Sequence, residues 1–412
     1  MSPPPPLHGI RVLDLSRLLP GGFCSLLLAD YGADVLKVED TGAGDYIRWA
    51  PPLVEGAAAS AASALFLALN RNKRSIRIDL KSGAGREVLL ALVRSHDVVL
   101  ESFRPGVLDR LGAGYDVLRA ANPRIVLCSI TGYGQDGPLR DRAGHDMNYL
   151  GLVGMLGLGG AGPGEPPALP PGQIADLGGG ALMAAFGILA ALRERDRSGE
   201  GQHVDVAMAD GALAWLALVA AGRLAGGESP RRGRDALAGG LVCYRPYACA
   251  DGWVTLGALE PRFWSAFCAA IGREDLVERQ FDGPESATLA EIEAIVAART
   301  RAEWEVFARD VECCLEPVLD LDEALASEHV AARGMVVGVD QPGAAEPVRQ
   351  LGAPVKLSRT PPDTGRLPGP ELGEHTEDVL REAGYGDDQI AELLRSGAVA
   401  GPHTGAGATF LG

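Results

Sequence analysis

The sequence predicts an α/β fold built on a parallel sheet with helices on both faces. Short apolar runs alternate with helical segments through the first 130 residues, and this alternation is typical of a parallel sheet covered by helices on both faces. The chain has 412 residues, which at roughly 150 residues per domain allows more than one domain. Hydrophobic residues make up 47% of it, enough for a sizeable core.

The predicted strands of the large sheet come early in the chain. Residues 10–15 form a short apolar run, as expected of a strand buried on both faces. Pro20, Gly21 and Gly22 then open an apolar helix that runs to Ala29. The further strands are predicted at residues 34–39, 75–79, 97–101 and 125–130, with a helix at 85–94.

The second half of the chain is more varied. Residues 151–175 are rich in glycine and proline and indicate a loop. Residues 243–259 are typical of a β-hairpin with its turn at Asp251-Gly252. The predicted helices lie at residues 178–195 and 204–219, over most of 260–322, and as two short helices within 374–396.

Charge and cysteine content exclude several classes of protein. The net charge of −16 argues against a nucleic-acid partner, because a phosphate backbone requires a basic face. The apolar windows at 180–192 and 211–222 are shorter than the ~20 residues that span a bilayer, so no membrane partner is expected. The seven cysteines contain no C-x-x-C pair, which argues against a zinc knuckle and favours a reducing, cytoplasmic setting.

Three titratable residues stand in unusual settings. His145 follows a strand and a glycine-rich turn, where loop residues of an α/β sheet face the ligand crevice. Asp176 precedes three glycines at the predicted start of a helix, so it is either a helix cap or a group beside which a ligand approaches the backbone. Glu260 ends an apolar strand and precedes Pro261, and a solvated strand end is its simpler interpretation. Spacing alone does not show that the three meet.

Ten passages resemble the class III CoA-transferase superfamily over nearly the whole chain. They are residues 19–24, 33–39, 70–75, 79–81, 103–107, 122–126, 131–138, 201–208, 314–319 and 372–376. Within the superfamily, the α-methylacyl-CoA racemases share the histidine of residues 144–149, the aspartate before the glycines, and the Glu260-Pro261 pair.

The resemblance implies an isomerase that inverts the α-carbon of a 2-methyl-branched acyl-CoA thioester by 1,1-proton transfer. His145 and Asp176 would exchange the protons, with Glu260 close by, and no metal or redox cofactor would take part. A histidine and a carboxylate can hold opposite protonation states near neutral pH, as this reaction requires. Backbone N–H groups after Asp176 would stabilise the enolate, and the three glycines would let the thioester approach.

Two alternatives to racemisation stay open. In a CoA-transferase, which moves CoA between carboxylic acids, Asp176 would be the nucleophile that attacks the thioester. A non-catalytic relative would bind acyl-CoA and do no more.

The resemblance also places the CoA site along the large domain. The matching positions are Ile78, Asp79, Leu80, Lys81, Ser102, Phe103, Arg104, Arg110, Gly144, Asp146, Asn148 and Tyr149. Arg104 and Arg110 can each fork onto a phosphate. The chain departs from the family at Asp40, where an arginine often stands, and Lys37, Arg71, Lys73 or Arg74 is expected to substitute for it.

The superfamily's architecture implies an interlocked homodimer, in which each chain has a large Rossmann-like parallel-sheet domain and a smaller α+β domain. The large domain would comprise residues 1–222 and 345–412, the small domain 235–335, and the linkers 223–234 and 336–344. The partners expected are therefore an acyl-CoA thioester and a second copy of the chain.

Overall fold

A computed structural model describes residues 3–162 and 164–403. Residues 1, 2, 163 and 404–412, which the sequence assigns to the large domain, lie outside the described residues. The strands are β1 Arg11–Asp14, β2 Asp34–Glu39, β3 Lys73–Ile78, β4 Val98–Glu101, β5 Val126–Thr131, β6 His203–Ala207, β7 Tyr244–Cys249, β8 Gly252–Gly257, β9 Leu315–Pro317, β10 Val336–Val339, β11 Val348–Leu351 and β12 Val399–Ala400.

The helices are mostly short. The α-helices are α1 Leu18–Asp30, α2 Ala64–Asn70, α3 Gly83–Val93, α4 Val107–Arg110, α5 Tyr115–Ala121, α6 Asp146–Leu152, α7 Met155–Leu158, α8 Met183–Ser198, α9 Met208–Ala214, α10 Ala217–Leu224, α11 Pro261–Ala270, α12 Ala287–Ala297, α13 Arg301–Asp310, α14 Leu321–Ala326, α15 Glu328–Ala332, α16 Thr376–Glu382 and α17 Asp387–Arg395. Single 3₁₀ turns lie at Tyr46–Trp49, Ala59–Ala61 and Glu274–Arg279, and π-helical segments at Ile174–Leu182 and Ala236–Gly240.

The chain forms two compact units. The larger comprises Met1–Val153, Gly172–Trp215 and Glu328–Gly412, and the smaller comprises Gly154–Pro171 and Leu216–Ser327. The domain boundaries predicted from the sequence stay a prediction.

The larger unit is built on a seven-stranded sheet of order β12-β3-β2-β1-β4-β5-β6. Six strands are parallel, in the order 3-2-1-4-5-6 that is typical of doubly wound sheets, and only β12 runs antiparallel, beside β3. Val12 of the central strand pairs with Val35 on one side and Val98 on the other. The predicted α/β class with a mostly parallel sheet is confirmed.

The core of the larger unit explains why the strands are nearly continuous apolar runs. Leu13, Leu36 and Val99 are fully buried on one face of the sheet. They pack with apolar residues of α3, α5, α16 and α17, of which the most buried are Val88, Leu92, Leu118, Val379, Leu380 and Ile390. Burial against helices removes the need for polar residues on that face.

The smaller unit contains the antiparallel sheet β7-β8-β9. The predicted hairpin is confirmed as β7–β8, but its turn residues are Ala250 and Asp251, one position before the predicted Asp251-Gly252 turn, because Gly252 already pairs with Cys249. Trp264, Phe267 and Trp304 are fully buried behind it.

One predicted helix is partly wrong. Residues 203–207 form strand β6, which pairs with β5 and completes the sheet, and α9 begins only at Met208. His203, Val204, Asp205 and Val206 alternate polar with apolar residues, which is a strand pattern.

The helix that begins at Ile174 is longer than the apolar window at 180–192 indicates. Its π-helical segment continues into α8, so that Ile174–Ser198 forms one helix of 25 residues. By length and composition this helix could cross a membrane, but half of its apolar window is buried inside the protein, as in core helices. The expected lack of a membrane partner stays a prediction.

Candidate active site

The predicted CoA-binding segments follow the carboxyl ends of three parallel strands. Strands β3, β4 and β5 end at Ile78, Glu101 and Thr131. Because carboxyl ends of parallel strands lie at one edge of a sheet, and ligands of open α/β sheets bind beyond that edge, the loop that carries His145 starts from the edge expected for a ligand.

Tyr149 fixes the loop that leads to His145. Its hydroxyl donates a hydrogen bond of 2.5 Å to the carbonyl oxygen of Gly144, and its ring packs edge-to-face on Tyr133. A Cβ atom added to Gly132 or Gly144 would lie 2.6 or 2.7 Å from this ring. Both glycines are therefore needed for the aromatic ring to approach the backbone.

His145 caps helix α6 from an extended backbone conformation (φ −128°, ψ 172°). Its backbone N–H donates to Oδ1 of Asn148 at 3.0 Å, which closes the first turn of the helix. The His145 residue is exposed, so a substrate has access to the imidazole.

Asp146 joins this loop to the helix that carries Asp176. Its Oδ1 accepts the backbone N–H of Ala175 at 2.7 Å and that of Asp176 at 3.0 Å. A carboxylate favours the N-terminus of a helix because it satisfies unpaired N–H groups and opposes the helix dipole. The residue next to His145 therefore caps the helix of the other predicted acid/base group.

The interpretation of Asp176 as a helix cap is wrong. The π-helical segment begins at Ile174 after the cap residue Gln173, so Asp176 lies within the first turn. The Asp176 side chain does not cap this helix, because the Asp146 carboxylate accepts the N–H groups at the helix start.

The N–H groups at this helix start are already used. Ala175 and Asp176 donate to Asp146, and Leu177 donates to the carbonyl oxygen of Gln173 at 2.9 Å. The expectation that the N–H groups around Asp176 stabilise an enolate is therefore not supported for these three donors.

The three glycines after Asp176 serve helix packing. A Cβ atom at Gly179 would lie 2.6 Å from the carbonyl oxygen of Met208 in α9, and one at Gly180 would lie 2.8 Å from the Met208 side chain. A Cβ atom at Gly178 would touch the ring of Trp215 at 3.1 Å. The glycines thus make room for α9 and the residue that follows it, and the expectation that they also admit the thioester stays a prediction.

Burial and neighbouring charges shift the pKa of the Asp176 carboxyl. Burial, followed by the negative charge of Asp146, raises the pKa of Asp176 to about 6, while the neighbouring His145 lowers that pKa. Burial, with the charge of Asp176 nearby, also raises the pKa of the Tyr149 phenol well above its usual value. The His145 side chain therefore lies close enough to Asp176 to act on the pKa of its carboxyl.

Glu260 belongs to the smaller unit. It is exposed and precedes α11, where Pro261 occupies the first helical position. Its side chain does not cap the helix, and its charge raises the pKa of the nearby Cys314 thiol after the larger effect of burial. Its role stays a prediction.

The predicted CoA segments differ in what they expose. Ile78 is buried in the core, and Leu80 and Phe103 pack against the same core, which leaves mainly backbone there for a ligand. Lys81 and Arg104 are exposed. The polar residues of these segments also serve the backbone: Asp79 accepts the N–H of Lys81, and Ser102 accepts that of Arg17.

Glu101 is a residue that the sequence analysis missed. Burial raises its pKa to about 7, and its Oε2 accepts the backbone N–H of Phe103 at 2.7 Å. It therefore holds the start of the Ser102–Arg104 segment. Asp146 was named only as a CoA contact, and its position directly after His145 is the signal that could have suggested a structural link.

The cations proposed to replace the missing arginine at position 40 are engaged elsewhere. Lys37 and Lys73 are fully buried and pair with Asp45 and Asp14 at 3.0 and 3.4 Å. Burial lowers the pKa of Lys73 to about 8, against the attraction of Asp14. The other two cations, Arg71 and Arg74, pair with Asp30 and with Asp34 and Glu382 respectively.

The described residues contain no cluster suited to a metal ion. Within residues 3–162 and 164–403, no group of three or more histidine, cysteine, aspartate or glutamate side chains is placed to hold a metal ion.

Comparisons with known proteins agree on one family but divide over the reaction. The chain is 36% identical over 395 residues to α-methylacyl-CoA racemase of Homo sapiens, covering 94% of this chain and 96% of that protein. It is also 36% identical to succinyl-CoA:mesaconate CoA-transferase of Haloarcula hispanica, covering 92% of this chain and 97% of the other.

Solved structures agree with the fold. A CaiB/BaiF family protein of Brucella suis superposes with a TM-score of 0.80 at 30% identity, covering 92% of this chain and all of that one. The sequence pattern of CoA-transferase family III matches residues 7–376. The chain belongs to CoA-transferase family III.

Proposed function

We propose that this chain is an acyl-CoA racemase that inverts the α-carbon of a 2-methyl-branched acyl-CoA thioester. The observation that carries this proposal is the hydrogen bond of 3.0 Å from the backbone N–H of Asp176 to Asp146, the residue that follows His145. Beside this link lies the Asp176 carboxyl, whose pKa is raised to about 6 by burial and by Asp146, against the effect of His145. A carboxylic acid with that pKa is ionised and protonated in comparable amounts near pH 6, so it can serve as a base or an acid.

The reaction moves one proton off the α-carbon and another onto its opposite face. In one direction neutral His145 removes the proton while protonated Asp176 supplies the new one; in the other direction, ionised Asp176 removes it and protonated His145 supplies it. Both directions use an enzyme with one proton shared between the two groups. The thioester carbonyl carries the negative charge of the intermediate enolate.

Asp146 and Tyr149 would position this pair. Asp146 holds the helix start that carries Asp176, and Tyr149 holds the carbonyl of Gly144 directly before His145. Neither needs to exchange a proton with the substrate. Effects of this kind contribute by keeping the reacting groups in a productive geometry.

The test is deuterium exchange in deuterium oxide with an enantiomerically pure 2-methylacyl-CoA and no second carboxylic acid. We expect deuterium at the α-carbon and formation of the other enantiomer. His145→Ala and Asp176→Asn are expected to lose racemisation by at least a hundredfold, in the range typical of general acid or base removal, ~10²–10⁴-fold.

A CoA-transferase activity is the second candidate, because the family's transferases match this chain as well as the racemase does. Asp176 would then attack the thioester carbonyl as a nucleophile and release the thiol of CoA. Movement of CoA only after a second acid is added, with no deuterium at the α-carbon, would support this activity and reject racemisation.

We also propose that the chain works as an interlocked homodimer. Leu182, Phe186 and Leu189 are spaced four and three residues apart on one helix and are exposed to 40, 72 and 43%. Such a stripe is the kind of apolar surface that a second chain covers. Light scattering on the purified protein should give about twice the 42.9 kDa of one chain; a monomer mass at micromolar concentration would contradict the proposal.

A further inference from the structure

Two arginines, one at the end of α4 and one in the loop after β5, converge beside Gly106. Position 106 is the cap residue of α4 and has a left-handed backbone (φ +75°). A Cβ atom there would lie 3.2 Å from Nη2 of Arg140 and 3.4 Å from Nη1 of Arg110. Two guanidinium groups thus approach one point that only the absence of a side chain leaves open.

The positive charge at this point is poorly compensated. Among residues 3–162 and 164–403, Arg140 pairs with one carboxylate, that of Asp141, at 3.5 Å, and the Asp141 side chain is 78% exposed. An exposed ion pair of this kind contributes little. Asp109 lies next to Arg110 in sequence, but its carboxylate lies against Gly114. Convergence of two cations with so little counter-charge is favourable when an anion joins them.

The position suits the phosphates of CoA. Arg110 lies in the segment after β4, and Arg140 lies in the loop after β5, five residues before His145. Both segments leave the carboxyl edge of the sheet. Position 40 carries an aspartate, which pairs with Arg17 at 2.5 Å, and the buried lysines have carboxylate partners of their own. A phosphate therefore needs cations from elsewhere.

We propose that Arg140 joins Arg110 in clamping a phosphate group of CoA over Gly106. This inference rests on the proposed function, which makes an acyl-CoA the substrate. Each guanidinium can direct two parallel N–H groups at phosphate oxygens, a geometry that lysine cannot reproduce. Gly106 contributes by leaving room for the phosphate.

Calorimetric titration of the full-length protein with CoA tests the clamp. Arg140→Ala should raise the dissociation constant for CoA at least tenfold, since hydrogen bonds to charged groups are among the stronger ones. Arg140→Lys should recover part of the loss because it restores the charge without the fork. The matched control is Arg197→Ala: Arg197 is exposed in the last turn of α8, and its loss removes the same charge.

Dephospho-CoA identifies the phosphate. If the difference between wild type and Arg140→Ala disappears with this ligand, the clamp holds the 3′-phosphate; if the difference persists, it holds the diphosphate. Unchanged affinity for CoA in Arg140→Ala, or an equal loss in Arg197→Ala, would overturn the inference. These binding results are separate from catalysis: a wild-type protein that binds CoA but exchanges no deuterium contradicts the proposed function and leaves the clamp intact.

Discussion

The carboxylate of Asp146 accepts a hydrogen bond from the backbone N–H of Asp176 at 3.0 Å. This bond ties the residue after one predicted acid/base group to the backbone of the other. The same carboxylate accepts the N–H of Ala175 and adds negative charge near the Asp176 side chain. Asp146 therefore holds the backbone at Asp176 and adds to the effect of burial on the pKa of its carboxyl.

Asp146→Asn separates these two effects. The asparagine Oδ1 can still accept both backbone N–H groups, but the negative charge is gone. Because burial and then the charge of Asp146 raise the pKa of Asp176 to about 6, removal of that charge should lower this pKa. We expect the acid limb of the racemisation profile, measured as kcat/KM against pH, to move to lower pH.

The control for this prediction is Asp146→Ala, which removes the hydrogen bonds as well. It should cost about 1–2 kcal/mol of stability through loss of the helix cap, measured by urea unfolding, and should lower kcat at every pH. An acid limb in Asp146→Asn that stays in place or moves to higher pH would show that Asp146 does not control Asp176.

Asp176→Asn should make the protein more stable at high pH while lowering racemisation at least a hundredfold. The folded-state pKa of about 6 lies above the usual 3.8, so the folded protein binds this proton more tightly than the unfolded chain does. Above pH 6 the ionised carboxyl costs stability; below pH 4 it is protonated in both states and costs nothing.

We therefore expect Asp176→Asn to gain about 1–2 kcal/mol at pH 8, after allowance for solvent screening, and to lose this gain as the pH falls from 6 to 4. Urea unfolding of both proteins at equal concentration measures the difference. A gain that is the same at pH 4 and pH 8 would mean that ionisation of Asp176 is not its source.

The sheet was predictable because its strands depend on local pattern. Val98–Glu101 and Val126–Thr131 are short apolar runs that both faces of the sheet bury, and hydrophobicity alone marks such strands. His203–Ala207 was missed because its alternating pattern stands directly before an apolar helix. Its pairing with β5 joins residues that are 76 positions apart, such as Leu127 and His203, which a local pattern does not reveal.

The candidate site was predictable in its residue types but not in its supports. The likeness to a known family identified His145 and Asp176, whereas the role of Gly179 depends on contact with α9. A glycine that admits a ligand and one that admits a helix have the same local sequence signature. The burial of Lys73 could not be predicted locally either. Lysine is rarely buried without a partner, and the partner here, Asp14, lies 59 residues away in the sequence.

Lys73 should matter for stability and not for CoA binding. Its Nζ donates to Ser25 and Asn70 at 2.7 and 2.9 Å and pairs with Asp14, and all four residues are buried. Lys73→Met should destabilise the fold by about 3 kcal/mol, because it leaves the buried carboxylate of Asp14 with one cation fewer.

The paired variant for this prediction is Arg104→Ala, at an exposed position with the same formal charge. It should weaken CoA binding with little loss of stability, the opposite pattern to Lys73→Met. Thermal unfolding and calorimetry with CoA measure the two quantities. If the Lys73→Met protein binds CoA more weakly at a temperature where it is fully folded, then Lys73 does contribute to phosphate binding, and the prediction is wrong.

Gly211→Ala should shift the helix that carries Asp176, because Gly211 packs against its backbone at Gly179. A Cβ atom at Gly211 in α9 would lie 2.1 Å from the carbonyl oxygen of Gly179, so one of the two backbones must shift. We expect a loss of about 2–3 kcal/mol of stability, as for overpacked cores, and a fall in kcat because the helix that carries Asp176 moves.

Gly222→Ala is the matched control: Gly222 lies in α10 with nothing within 4 Å of its Cβ position, and alanine should stabilise that helix by about 0.5–1 kcal/mol. Equal effects of the two substitutions on urea unfolding and on racemisation would show that the contact between Gly179 and Gly211 does not position the site.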